Sequence, residues 1–269
     1  MNQLSHIVFA FALFVAIYAG IYTVTVYLSG HPLTTLLLYS VGGGLVMSVI
    51  VLTVFGMRVR GKARDRWSQK EGRSVGNTGA VLSTLFVSFF IGSMGACVIH
   101  QWVYDIQVAG NVSLFVGSMS VLIGALLPDW DIPFLGLERH RNIVFHSFLL
   151  PLVIVTPTLL RLVYMVVTST LGQLETFVAP TELYIMAFFF IGYASHLLLD
   201  IYPSNANPWE LLWRVLSPLD SAPTGLKPLG PFKVPKRHAK SWLQANASLL
   251  LLIGFSLLGL YYYYFLVVI

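Results

Sequence analysis

Apolar residues fall in seven long stretches separated by short polar segments. A helix needs about 20 apolar residues to cross a bilayer. The pattern therefore predicts transmembrane helices over 7–28, 33–57, 78–100, 112–128, 143–168, 183–202 and 242–268, the fourth being the shortest. No internal repeat and no pair of inverted halves is visible, so a single integral membrane domain over 1–269 is the simplest organisation. The expected fold class is all-α and polytopic.

Composition agrees. The chain is 57% hydrophobic and 10% charged, with a mean hydropathy of +0.78. Soluble domains carry about 25% charged residues, so a soluble globular fold is excluded, as is disorder. Cys97 is the single cysteine, which excludes an intramolecular disulfide and a cysteine-rich metal site. No Lys or Arg precedes the first apolar run, so that run reads as a retained helix rather than a cleaved leader.

Charge gives the orientation. Of sixteen Lys and Arg, seven lie in 58–77, two in 129–142 and six in 203–241. Seven spans put these three segments on one side with the N-terminus, and the positive-inside rule makes that side cytoplasmic. The sixteenth, Arg161, lies within the fifth span and should snorkel or pair inside the bundle. The basic run 57–73 reads as a loop against anionic lipid headgroups rather than a nucleic-acid site, because no folded module accompanies it. Membrane lipids are the expected partner, and nucleic acid is not.

With so little charge, the remaining polar residues stand out. Span four ends in Asp129-Trp-Asp131, bounded by Pro128 and Pro133. His140, Arg141 and Asn142 follow, with His146 about one turn into the expected fifth span and Asn142 placed to cap it. Span six ends in His196 and Asp200, an i, i+4 pair that shares one helix face. His6 opens span one. The expected topology gathers these residues in one layer at the cytoplasmic boundary. Imidazole and carboxylate so placed can bind one metal ion, or the carboxylate can orient the imidazole. Donors of this kind without thiolate suit zinc, manganese or iron.

Other polar residues have plainer readings. His31 and His100 lack acidic neighbours in sequence and are expected to be packed and hydrogen-bonded. His238 sits in a basic run and should be solvated, and Glu138 with Arg139 should form a loop pair. Tyr261 to Tyr264 should pack and anchor the last span. Asn111 and Asn246 begin short matches to glycosylation acceptors.

The elements LLPDWD (126–131), HRNIVFHS (140–147) and GYASHLLLDIYP (192–203), with the early His6, resemble the YdjM-like family of membrane-bound metal-dependent hydrolases. The resemblance covers the core 124–203 and the start of the first helix. It implies that His6, Asp129, Asp131, His146, His196 and Asp200 supply ligands to one or two divalent metals, zinc above all. His140 would act as base or extra ligand, and Arg141 would hold an anionic group. The family commonly has three residues between the Arg and the second His, where this chain has four. In a helix that rotates His146 by about 100°; a loop at 140–142 would absorb it.

The expected function is hydrolysis of a lipid or lipid-linked phosphoester at the cytoplasmic face of a prokaryotic cell membrane. The alternatives are transport of a metal ion or proton, and a non-catalytic scaffold with a structural metal site.

Overall fold

The computed structural model describes residues 3–67, 77–106, 114–136, 141–168, 178–201, 225–229, 231 and 233–267. Its helices are α1 (Gln3–Leu28), α2 (Leu33–Trp67), α3 (Asn77–Val103), α4 (Leu114–Leu126), α5 (Asp131–Leu135), α6 (Leu149–Val167), α7 (Pro180–Leu199) and α8 (Ala239–Val267). A 3-10 turn over Leu127–Trp130 joins α4 to α5, and another over Lys236–His238 leads into α8. Among the described residues there is no strand, and a single isolated bridge joins Asn142 and Lys227. The all-α polytopic class is therefore the observed one.

Six helices among the described residues are long and apolar enough to cross a membrane: His6–Leu28, Leu33–Thr53, Leu114–Leu135, Leu149–Val167, Thr181–Leu199 and Lys236–Tyr263. The expected third span corresponds to α3, whose apolar part is the shorter Ser88–Val103. Three expected boundaries move. α2 continues past residue 57 to Trp67, so the first half of the basic segment is helix rather than loop. The short fourth span gains length from the 3-10 turn and α5. The fifth starts at Leu149 rather than 143, because residues 142–148 form turns whose amides are used elsewhere: Ile143 N–H donates to the Lys227 carbonyl and Val144 N–H to Asn142 Oδ1.

Where the sequence suggested one membrane domain, the contacts group into two units. One comprises Met1–Phe14 and Ala109–Ile269, the other Val15–Val108.

In the second unit, α2 and α3 cross through glycines. A Cβ on Gly43 would lie 2.6 Å from the Gly92 carbonyl oxygen, so any side chain there would force the helices apart. His100 is fully buried. Its Nδ1 meets the Tyr22 hydroxyl at 2.7 Å and its Nε2 the Thr35 hydroxyl at 3.2 Å, while Tyr39 and Tyr104 ring it. It is the packed, hydrogen-bonded histidine expected of it.

In the first unit, α7 is the hub. α4, α6 and α8 all pack on it, and Leu183, Ala187, Phe188, Phe190, Ile191, Tyr193, Ala194 and Leu197 are completely buried. The apolar side chains of α7 have no water-facing side to avoid, which is why its hydrophobicity runs all round the helix rather than along one stripe. Two glycines allow α4 to approach. A Cβ on Gly192 would strike the Val121 carbonyl, and one on Gly124 the Phe189 carbonyl. This crossing lies one turn before His196 and one turn before the 3-10 turn that carries Asp129. Far from that end, Arg161 of α6 pairs with Glu182 of α7 at 2.5 Å, and the Thr158 hydroxyl donates to the same carboxylate. Tyr261 is buried against Tyr184, the packing role expected of it.

Candidate metal centre

The start of α1, the turn after α4, the turn before α6 and the end of α7 each deliver an ionisable side chain to one place. Asp200, the C-cap residue of α7, occupies the middle. Its Oδ1 lies 3.2 Å from the Arg141 guanidinium and 3.7 Å from His6 Nε2. Its Oδ2 lies 3.0 Å from His146 Nε2 and 3.4 Å from His196 Nε2. Asp129 Oδ1 stands 3.6 Å from His196 Nε2. The His6 and His196 rings stack with centroids 3.9 Å apart. Two sets of side chains, His6–His196–Asp200 and Asp129–His146–His196, each bring ligand atoms within 4.8 Å of one another.

Backbone carbonyls set the tautomers. His196 Nδ1 is 2.7 Å from the Ala125 carbonyl oxygen, and His146 Nδ1 is 3.2 Å from that of Asn142. A carbonyl only accepts, so in each neutral ring Nδ1 carries the proton and Nε2 turns its lone pair towards Asp200. The close α4–α7 crossing makes the first of these bonds possible, since Ala125 follows Gly124 directly.

The turn over 141–148 is built for the second. The left-handed Arg141 sends its side chain to Asp200 while the next peptide turns back, and the Asn142 N–H donates to Asp131 Oδ2 at 3.0 Å. Asn142 Oδ1 accepts from Val144 N–H in an Asx turn. It therefore does not cap α6 as expected; Phe148 occupies that position. Tyr193 of α7 donates its hydroxyl to the Phe145 carbonyl, and Asn246 of α8 accepts the Phe148 N–H at 2.8 Å. From the other side, Lys227 N–H donates to the Arg141 carbonyl at 2.9 Å, and Ile143 N–H donates to that of Lys227 at 3.0 Å. With His146 in this turn rather than in a helix, the extra residue between it and Arg141 imposes no rotation.

The two expected aspartate ligands part company. Asp129 faces His196. Asp131 is fully buried behind His146, with Oδ2 3.7 Å from its Nδ1, and belongs to neither set of clustered ligand atoms. It holds the loop and the ring that carry the centre. His140 and Asn111 lie outside the described residues. Asn246 is 5% exposed and uses both ends of its amide, donating to the Trp242 carbonyl, so it is a brace and not a glycan acceptor.

A metal ion fits this arrangement. About a tetrahedral ion with bonds near 2.1 Å, neighbouring ligand atoms lie about 3.4 Å apart. The observed separations onto Asp200 and Asp129 run from 3.0 to 3.7 Å. His196 Nε2 is buried and makes no hydrogen bond. Burying a polar atom unsatisfied costs about 1–3 kcal/mol, which coordination would offset. Opening is on one side: the Asp129 side chain is 16% exposed, while those of His6, His146, His196 and Asp200 are 3% or less. Beside it, Trp130 and Phe134 are exposed, with rings 6.2 Å apart.

Asn246, Lys227 and the Ala125 carbonyl escaped the sequence reading. Lys227 and Ala125 act through main-chain atoms, which leave no mark in residue type, and Asn246 lies 98 residues from its partner. Compared with known protein families, with curated proteins and with solved structures, the chain finds no match, so the centre is read from its own geometry.

Proposed function

We propose that this centre holds a divalent metal ion, zinc before manganese or iron. On this reading the protein is a membrane-bound hydrolase that acts at the cytoplasmic face on a lipid or lipid-linked phosphoester. The resemblance to the YdjM-like hydrolases points the same way. One observation supports it above the others: backbone carbonyls turn the Nε2 atoms of His146 and His196 inward onto Asp200, at the spacing a metal ion needs.

His6, Asp129, His146, His196 and Asp200 would hold the ion. When bound, it supplies Lewis-acid polarisation of a phosphoryl or carbonyl oxygen. The chain's own residues do the rest. Arg141 neutralises and orients Asp200. Asp131 fixes the loop amide and backs His146, as outer-shell carboxylates do at metal histidines. Asp129 is the ligand that faces the opening, where a substrate would reach the ion. The exposed Trp130 and Phe134 beside it are side chains suited to the lipid interface, which favours a substrate that arrives from the membrane. The donors sit at helix ends rather than mid-span, which favours hydrolysis over transport, whose sites lie near the midplane.

The test is metal content and turnover of the purified full chain. Wild type should carry stoichiometric metal and cleave members of a phospholipid and lipid-pyrophosphate panel. His196→Ala should lose the metal, and Asp129→Asn should lose turnover. A metal-free wild type, or unchanged metal content in His196→Ala, would overturn the assignment.

A further inference from the structure

Segment 225–240 carries five Lys and Arg and no acidic residue. Its start is fastened to the centre's own loop, because the two main-chain bonds of Lys227 bracket Asn142 between Arg141 and Ile143. Its far end is fixed by the 3-10 turn over Lys236–His238 and by α8. Pro228, Pro231 and Pro235 fix their own φ angles within the segment. The side chains of Lys227, Lys233, Lys236 and Arg237 are exposed. Along Leu226, Pro228, Lys233, Val234 and Pro235 runs an open surface groove of about 360 Å³.

A row of exposed cations attracts an anion. An apolar groove in the same segment adds a demand that free phosphate does not meet. We propose that segment 225–240 is the headgroup-binding part of the site. Lys227, Lys233 and Arg237 bind the phosphate group of a lipid, and the groove receives the apolar portion next to it. That this lipid is the substrate rests on the hydrolytic reading of the centre; the binding itself does not.

The experiment is isothermal titration of the full-length protein in phosphatidylcholine nanodiscs. The probes are water-soluble dihexanoyl phosphatidate, dihexanoyl phosphatidylcholine and inorganic phosphate. Phosphatidate should bind saturably and at least about tenfold more tightly than either other probe. The triple variant Lys227→Gln/Lys233→Gln/Arg237→Gln keeps the main-chain bonds and should weaken phosphatidate binding by about tenfold or more. Val234→Trp fills the groove and leaves every charge, so phosphatidate should fall towards inorganic phosphate; this variant also serves if the triple one misfolds. His196→Ala should retain phosphatidate binding while losing metal, so failure of the metal reading and failure of this inference appear in different measurements. Unchanged affinity in both segment variants, or inorganic phosphate binding as tightly as phosphatidate, would overturn it.

Discussion

Gly192→Ala tests whether helix packing sets the centre. The added methyl would strike the Val121 carbonyl and lie 2.9 Å from Val121 Cα. Carbon atoms pack at about 3.5–4.0 Å, so α4 must withdraw from α7 by roughly 1 Å. Ala125 and Asp129 ride on α4 and its turn, whereas His196 rides on α7. The His196 Nδ1 to Ala125 bond, now 2.7 Å, would open to about 3.7 Å, outside hydrogen-bonding range. The buried N–H then loses its acceptor, at about 1–3 kcal/mol, and the ring loses the contact that aims Nε2. Loss of such outer-shell support lowers metal affinity by about 10–100-fold. The assay is competition for zinc against a chelator of known affinity, with helix content checked by circular dichroism. Gly259→Ala is the control, since a Cβ there meets nothing within 4 Å. Wild-type zinc affinity in a folded Gly192→Ala protein would refute the argument.

Other outcomes follow from the same geometry. Asn246→Ala should lower stability by about 1–3 kcal/mol, because the Phe148 N–H loses its acceptor; an unchanged thermal midpoint in detergent would count against the brace. Asp131→Asn keeps an acceptor for the Asn142 N–H but removes the charge behind His146, so zinc should bind about tenfold or more weakly while the fold persists. That drop should be smaller than the one caused by His196→Ala, and equal losses would make Asp131 a ligand. Reporters fused to the two termini should show the N-terminus cytoplasmic and the C-terminus outside; a cytoplasmic C-terminal reporter would remove the seven-crossing topology.

How far the sequence reached depended on what kind of signal each feature leaves. Apolar runs marked the helices because crossing hydrocarbon requires them. Asp129, His146, His196 and Asp200 were legible because ionisable groups are rare in such a chain, and alternating helix direction alone brought their ends together. Asp131 shared that signal yet folded into a supporting position, since the peptide of Asn142 claims its oxygen. The start of α6 was misjudged because 143–148 is as apolar as the helix it precedes, while the turn bonds of the Ile143 and Val144 amides have no sequence signature. The extension of α2 was hidden for the opposite reason: leaving the bilayer ends an apolar run without ending a helix.

α7, packed on three sides and closing the centre with Asp200, also sets an order of events in biosynthesis. Residues 6, 129 and 146 emerge from the ribosome well before residues 196 and 200. Until α7 inserts, no set of clustered ligand atoms found among the described residues is complete, because each includes His196. On the proposed metal reading, capture of the ion would be tied to the near-completion of assembly, and a chain stalled earlier would have no finished centre with which to retain it.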